Sequence, residues 1–517
     1  MSTKAVIIWL VLAVVLGMLA IIVLRLPGQI ATPSVAPIGS RLLTFVPSEV
    51  RSITVVRADG SRELIEQSPQ ALSALGTDAQ WQLRLQSPNA PTPGAAPWPI
   101  TGPSMQSLLR ILAELSAIGE PAKDITVGDR PFTITIALSD GSERTLRLAE
   151  RTLAGTCLAE VISGAISTGA SPAPTPTTVR TLIDAKVHDL FTNPGPRAWR
   201  ETALLAALAP EASRIRLENA QQKLALAKTN GRWALREPVA TPADPGSIQA
   251  LIAELGRVHV ADFLDGGSGS APTGLESPVA RLAVEVDRRT QATGATDPSV
   301  TTMGVELAVG RAAESSRGSA FASVNGERVI LVDAAALARI TMDPTAYIWP
   351  HPTRLAAADI GTIVLDRTDT PNGAGSKAFK RGLARWSQIR ADGTEITLAD
   401  KALRDADALA AFLTGGDRSA FSGNTNTPPS RDDRPTITLQ APEDLRIIGR
   451  IKVLSLAGDP METIEVSVAR PGSAVLRTGS VFREYVVGKL PTLLAELVNA
   501  APPSSPSETD KKPEMNK

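Results

Sequence analysis

The residues that could carry out covalent or metal chemistry in this chain are few and scattered. Cys157 is the sole cysteine, and the three histidines are His188, His259 and His351. A catalytic thiol needs a positioned base, and a metal site needs several ligands at short spacing; neither pattern accompanies these residues. We therefore predict that Cys157 is a small core residue. We predict no catalytic, cofactor-binding or metal-binding residue.

Two further patterns resemble catalytic or nucleotide sites without meeting their requirements. Residues 373–377 read Gly-Ala-Gly-Ser-Lys, but a phosphate loop needs a longer Gly spacing at the start of a helix, and this segment joins two strands. Asp405 and Asp407 lie at the start of a predicted helix, where negative charge suits the helix dipole. The sequence thus indicates a protein that is not an enzyme. A hydrolase with an unrecognised site is the remaining catalytic alternative.

The composition of the chain bounds its size class and its partners. With 517 residues the chain is long enough for two to four domains. Lys and Arg together number 53, as do Asp and Glu, so no net charge attracts nucleic acid. We predict no nucleic-acid partner. Aromatic residues make up only 3% of the chain, so its cores must consist mainly of Ala, Leu, Ile and Val.

The longest apolar run of the sequence lies near its N-terminus. Residues 6–24 are uncharged, and Lys4 and Arg25 flank them. A helix of this length crosses a hydrocarbon layer of about 30 Å. We predict a transmembrane anchor over residues 1–27 and a single-pass protein of the cell inner membrane, with most of the chain on the extracytoplasmic side. The alternative is a cleaved signal peptide, whose apolar core is typically shorter, about 7–15 residues.

A repeated pattern follows this apolar run. Trp81, Trp233 and Trp386 begin similar strings and lie 152 and 153 residues apart. Upstream of each tryptophan, an acidic residue stands four positions before the isoleucine of an alternating strand; the pairs are Glu49 and Ile53, Glu211 and Ile215, and Asp359 and Ile363. We interpret each tryptophan as a core residue that packs its strand against a helix.

Each tryptophan is followed by an amphipathic helix and then by two further strands. In the middle copy, Asp244 is the expected N-cap, and Ile248, Leu251 and Leu255 share one face. In the third copy, Gly415 is the expected C-cap. We predict an α+β fold with an N-terminal transmembrane helix and three tandem α+β units with mainly antiparallel sheets. The expected divisions are a Pro-rich spacer at 28–44, units at 45–205, 206–356 and 357–500, and a disordered tail at 501–517.

The middle unit resembles a known family. Its strand at 230–238, the cap at 242–244, the helix at 248–255 and the Gly-Leu-Glu-Ser-Pro turn at 274–278 are similar, in this order, to the domain of unknown function 4340 family. The strands at 319–323 and 329–332 and the segment 347–349 also look like that family's closing strands. This chain departs from the pattern through an insertion at 288–302 and through Pro272 and Thr273, where the family has a Tyr.

This resemblance implies a function but no catalytic residue. Members of the family have one N-terminal membrane anchor, and some stand beside ABC-type exporters as auxiliary extracytoplasmic subunits. We therefore expect a non-catalytic auxiliary or scaffold subunit of an ABC-type transport system, with a membrane, an ABC permease and its ATPase as partners. The alternative is an ectodomain that binds an envelope polymer or a small solute, for which the sign would be an apolar pocket between units.

Overall fold

The structure is a computed structural model of the chain. It describes residues 34–67, 81–86, 97–122, 125–165, 177–192, 195–265, 272–290, 299–314, 316–368, 375–382, 385–416 and 434–500. Of the predicted Pro-rich spacer, residues 28–33 lie outside these residues and 34–44 are described, and the tail at 501–517 lies wholly outside them.

The first of three nine-stranded sheets begins at the N-terminal end of the described chain. Its order is β1-β9-β8-β7-β6-β2-β3-β4-β5, and all pairs are antiparallel except β1 with β9, which are parallel. The strands are β1 Ser34–Val35, β2 Val50–Val56, β3 Arg62–Gln67, β4 Trp81–Gln86, β5 Trp98–Pro99, β6 Phe132–Leu138, β7 Ser142–Arg151, β8 Thr156–Ala165 and β9 Thr177–Asp184.

The second sheet has the order β13-β12-β11-β10-β15-β16-β17-β18-β14 and is antiparallel throughout. Its strands are β10 Arg214–Asn219, β11 Lys223–Thr229, β12 Arg232–Glu237, β13 Thr241–Pro242, β14 Val260–Phe263, β15 Ala280–Thr290, β16 Ser299–Ala312, β17 Ser319–Val324 and β18 Arg328–Asp333. The predicted insertion at 288–302 therefore lengthens the hairpin of β15 and β16.

The third sheet repeats the topology of the second, with the order β22-β21-β20-β19-β24-β25-β26-β27-β23. Its strands are β19 Ile360–Arg367, β20 Lys377–Arg381, β21 Trp386–Ile389, β22 Glu395–Thr397, β23 Thr436–Thr438, β24 Arg446–Ser455, β25 Pro460–Val468, β26 Ser473–Thr478 and β27 Val481–Val486.

Helices connect the two halves of each sheet and follow its last long strand. The α-helices are α1 Gly102–Ala113, α2 Lys186–Thr192, α3 Pro245–Gly256, α4 Ala334–Ala338, α5 Asp400–Thr414 and α6 Thr492–Asn499. The carboxylate of Asp244 accepts a hydrogen bond from the Ser247 amide, so the predicted N-cap of α3 is confirmed. Gly415 ends α5 in the left-handed conformation at φ 69°, as expected of a glycine C-cap.

The cores form because alternating strands place one face of each sheet under a helix. In the first unit, Ile53 and Ile134 share a buried cluster with Leu108 and Leu112 of α1. The three tryptophans of the repeat, Trp81, Trp233 and Trp386, are buried in the first, second and third cores. Their interpretation as core residues is therefore confirmed.

The α+β class predicted from the sequence is wrong. The protein is mostly β, with three nine-stranded sheets. The reason is that strands such as β5, β13 and β22 span only two or three residues, too few to show an alternating pattern in the sequence. In the third unit, β23 occupies the edge position that β14 has in the second, and β24 is the counterpart of β15.

The predicted membrane anchor also needs correction. The segment 6–24 lies outside the described residues, and within the described ranges no helix is long and apolar enough to cross a membrane. The described residues therefore do not support the predicted single-pass architecture. They equally do not support the inner-membrane location that was derived from it.

Candidate functional site

The single thiol of the chain is a core group. Cys157 lies on β8 with no exposed surface, and its Sγ donates to the carbonyl oxygen of Ala149 at 2.8 Å. Burial raises the pKa of this thiol to about 11. A thiolate is the nucleophilic form of cysteine, so this environment suppresses its reactivity at neutral pH. The prediction that Cys157 is a core residue is confirmed.

The three histidines lie in unrelated places. His188 Nδ1 is 3.6 Å from an Asp189 carboxylate oxygen on α2, and His259 Nδ1 is 3.0 Å from the carbonyl oxygen of Arg257. Burial lowers the pKa of His351, which lies between the second and third sheets. In the part of the chain that the structure describes, no three His, Cys, Asp or Glu residues are grouped to hold a metal ion.

The chain between the first and second sheets, residues 196–203, is pinned to an edge on each side. We call this segment the first junction. The Thr101 amide donates to the carbonyl of Trp199 at 3.0 Å, and the Glu201 amide donates to the carbonyl of Pro99 at 2.8 Å. On the other side, the Val260 amide donates to Thr202 at 2.8 Å. One extended segment thereby caps the edges of two sheets.

An aromatic pair crosses the first junction. Trp98 of β5 belongs to the buried core cluster of the second sheet, although its strand belongs to the first. Its ring meets that of Phe263 edge-on, with centroids 5.1 Å apart, and its Nε1 donates to the carbonyl of Glu201 at 2.7 Å. Edge-to-face geometry is favourable for aromatic rings, so this contact couples the two sheets.

A chain of ion pairs runs alongside the aromatic pair. Arg200 donates to both carboxylate oxygens of Asp265, and its guanidinium stacks 3.7 Å from the centroid of Phe263. Arg197 bridges Asp265 at 3.6 Å and the buried carboxylate of Glu63 on β3 at 3.2 Å. Glu63 is 1% exposed. Burying its carboxylate costs free energy that the arginine partners must offset, so losing them should destabilise the fold here.

A cavity of about 210 Å³ lies at the first junction. Leu83 and Trp98 line it from the first sheet, and Phe263, Arg328 and Ile330 line it from the second. Its polar and aromatic groups suit a small ligand, but typical small-molecule sites are larger, about 300–1,000 Å³.

A larger depression of about 580 Å³ lies on the first unit, next to the turn between β2 and β3. Its size alone does not indicate a binding site, because its charged groups already pair with other groups of the protein. Arg57 donates to Glu63 and to the carbonyl of Phe191, and Asp59 accepts from Ser61 within its own turn. We therefore place the functional interest at the junctions.

The second junction, residues 344–354, repeats the backbone pairing of the first. The Asp244 amide donates to the carbonyl of Tyr347 at 2.8 Å, and the Trp349 amide donates to the carbonyl of Pro242 at 3.0 Å. The same segment then reaches the third sheet, where the Thr353 amide donates to the carbonyl of Leu413 at 3.0 Å.

Side chains of the third sheet complete the second junction. Arg483 of β27 donates twice to the carbonyl of Trp349, at 3.3 and 3.1 Å, and the hydroxyl of Tyr485 donates to the carbonyl of Pro350 at 3.0 Å. Val481, from the same strand, is buried in the core cluster of the second sheet. The third sheet thus adds a side chain to the second core, as Trp98 does from the first.

The guanidinium of Arg483 lies buried at this place. It is 2% exposed, and its Nη1 finds no hydrogen-bond partner among the described residues. Burial lowers the pKa of Arg483, and burial likewise raises the pKa of Glu462 nearby. An unsatisfied buried donor costs free energy, so the bonds to Trp349 must hold this side chain in position.

Apart from the segment 347–349, which was predicted as a strand and instead continues from a 3-10 turn, sequence analysis did not single out the junction residues. Trp98 and Phe263 are 165 positions apart, and nothing local to either one indicates the other. A signal was present, however: Pro196–Trp199 and Pro344–Tyr347 both read Pro-x-Ala-aromatic, and both form a 3-10 turn. This second motif lies outside the strings that begin at Trp81, Trp233 and Trp386.

The family model described as Domain of unknown function (DUF4340) matches residues 233–421. The match begins in β12, includes the whole second junction and extends past α5, so it reaches further into the third unit than the resemblance read from the sequence. The assignment to this family is confirmed over these residues. No curated protein matches the chain.

Proposed function

Starting from the membership of residues 233–421 in the DUF4340 family, we propose that the chain is a non-catalytic scaffold that acts as an auxiliary subunit of an ABC-type transport system. Its partners in this proposal are a permease and its ATPase. The family resemblance supports this choice of partners, and the build of the junctions supports the scaffold role.

The observation that carries the proposal is the double pinning of each junction. Residues 199–202 pair with edges of both the first and the second sheet, and residues 347–353 bond to both the second and the third. Trp98 and Val481 extend the second core into its two neighbours. A chain whose units are fixed in this way presents one continuous surface, which is what a scaffold needs in order to hold several partners at fixed spacing.

Affinity purification of the tagged full-length chain from its own host, in mild detergent and with mass spectrometry of the retained proteins, tests the proposal. We expect recovery of an ABC permease together with its ATPase. Recovery of the chain alone, under conditions that preserve other detergent-soluble complexes, refutes the auxiliary role.

A ligand-binding role is the second candidate, and the cavity at the first junction favours it. Trp98 and Phe263 offer apolar walls there, and Arg328, which pairs with Glu327 at 3.6 Å, offers N–H donors. The candidate ligand is thus a small molecule with an apolar body and a hydrogen-bond acceptor such as a carboxylate. A thermal-shift screen of aromatic carboxylates tests this alternative, with Arg328→Met as the control variant. Stabilisation of both proteins to the same extent places binding elsewhere.

A further inference from the structure

The edge strands β5, β13 and β22 occupy the same position in the three sheets. Immediately after each one, a backbone amide donates to the carbonyl of the repeat tryptophan. These bonds are Ile100 to Trp81 at 2.9 Å, Ala243 to Trp233 at 3.2 Å and Leu398 to Trp386 at 3.4 Å. This shared bond fixes the equivalence of the three edges, residue by residue.

Two of the three edges are covered by the chain that follows. In each case the next amide donates to an aromatic residue's carbonyl, from Thr101 to Trp199 and from Asp244 to Tyr347. The carbonyl of the residue before the shared bond then accepts a hydrogen bond, at Pro99 from the Glu201 amide and at Pro242 from the Trp349 amide. In both cases the incoming segment makes an isolated antiparallel bridge, Ile100 with Arg200 and Ala243 with Ile348.

The third edge has no such cover among the described residues. The corresponding groups are the amide of Ala399 and the carbonyl of Thr397, and neither has a backbone partner in this part of the chain. Ala399 is exposed, whereas its counterparts on the covered edges, Thr101 and Asp244, are half-buried and buried. An open edge with free amide and carbonyl groups is a template for strand addition.

We propose that this third edge, residues 395–399, binds an extended segment of a partner protein that carries a Pro-x-Ala-aromatic motif. The two internal occupants define the motif, because Pro196–Trp199 and Pro344–Tyr347 each form a 3-10 turn that ends in the aromatic residue. Pairing then continues for two residues beyond the aromatic. Residues 501–517 of this chain contain no Trp, Tyr or Phe, so they lack the side chain that both internal occupants supply.

The third edge is built for a specific strand and not for indiscriminate pairing. β22 spans only three residues, and Glu395 forms an ion pair with Lys380 at 2.6 Å. Short edge strands with charged side chains discourage association with unrelated strands. Recognition of a partner here combines backbone hydrogen bonds with the placement of one aromatic side chain, the usual division of labour in strand addition.

A labelled peptide with the sequence of residues 195–201 is the probe, and its binding to the full-length chain is measured by fluorescence anisotropy. The test variant is Ala399→Pro, which removes the amide donor. Ala399 already has φ −71°, close to the value that proline requires, so the fold tolerates the change. The matched control is Ala391→Pro, an exposed turn position in the same hairpin.

We expect binding to the wild type, no change with Ala391→Pro, and binding weakened by about fivefold or more with Ala399→Pro, the effect of roughly one hydrogen bond. Replacing the peptide's Trp by Ala should weaken binding further. Equal binding to wild type and Ala399→Pro overturns the proposal, and so does absence of binding.

A chain lacking residues 501–517 completes the test. Peptide binding only to this shortened chain means that the chain's own C-terminal segment covers the edge, which overturns a partner in trans. The proposal rests on the interaction role given above, but the two fail separately. If the chain retains its protein partners in affinity purification but does not bind the peptide, the third-edge site is refuted and the proposed scaffold function stands.

Discussion

Replacement of Trp98 by Ala should uncouple the first and second sheets. The indole is 5% exposed, packs edge-on against Phe263 at 5.1 Å and donates to the carbonyl of Glu201 at 2.7 Å. Truncating a buried Trp costs about 3–5 kcal/mol. Of this, the ring pair contributes about 0.5–1.5 kcal/mol and the hydrogen bond about as much again, and the rest is lost packing.

Hydrogen exchange with mass spectrometry reports this loss at the junction itself. The amides of Thr101, Glu201 and Val260 are held by junction bonds, so their exchange follows local opening of residues 196–203. A loss of about 3 kcal/mol in opening free energy corresponds to protection lower by roughly a hundredfold. Trp98→Phe keeps most of the ring packing and should show a drop of about tenfold or less.

Trp386→Ala is the matched control. Trp386 is 3% exposed and is buried in the core of the third sheet, so its truncation should be similarly costly but should leave residues 196–203 protected. The reasoning is refuted if Trp98→Ala leaves exchange at the junction unchanged. It is equally refuted if Trp386→Ala lowers protection there to the same extent, since the effect would then be global.

Three further predictions concern single positions. Gly415→Ala should destabilise the chain more than Gly393→Ala. Both glycines have positive φ, but a Cβ at Gly415 would lie 2.8 Å from Cγ of His351, whereas a Cβ at Gly393 would meet nothing within 4 Å. Equal shifts of the melting temperature would contradict this. Burial raises the pKa of Glu462, so as the pH rises this carboxyl loses its proton in the unfolded chain at a lower pH than in the folded chain. Ionisation therefore favours the unfolded chain, and the free energy of unfolding falls as the pH rises above about 4.5. Glu462→Gln should therefore raise the melting temperature at pH 7 more than at pH 4, with Glu395→Gln, whose carboxyl has a lowered pKa, as a control that should show no such gain. Cys157 should resist iodoacetamide at pH 8 in the folded chain and react in denaturant, and rapid labelling of the folded chain would show that the thiol is not buried.

Local patterns of the sequence predicted individual elements well. Asp244 caps α3 by accepting a hydrogen bond from the Ser247 amide, and Gly415 ends α5 in the left-handed conformation. Glu49 and Asp359 each end a short 3-10 turn directly before the strand they were expected to precede, and Glu211 ends one that is separated from β10 by two residues. These features depend on a few adjacent residues, so the local sequence pattern predicts them.

Features that depend on distant residues were not predictable in the same way. Glu63 looks like a surface residue of an alternating strand, yet it is buried because Arg197, 134 positions later, folds back onto it. Val481 reads as an ordinary strand residue but enters the core of a different sheet. The fold class was wrong for a related reason: nine-stranded sheets arise from strand pairing across the chain, and helix periodicity is the stronger local signal.

The central claim is that the three sheets act as one scaffold for protein partners. The most direct test compares the tagged wild type with Trp98→Ala in affinity purification from the host, with quantitative mass spectrometry of the retained proteins and with Trp386→Ala as the stability control. The account predicts that the wild type retains an ABC permease with its ATPase and that Trp98→Ala retains markedly less of both than Trp386→Ala does. Recovery of the wild-type chain without any partner would contradict it.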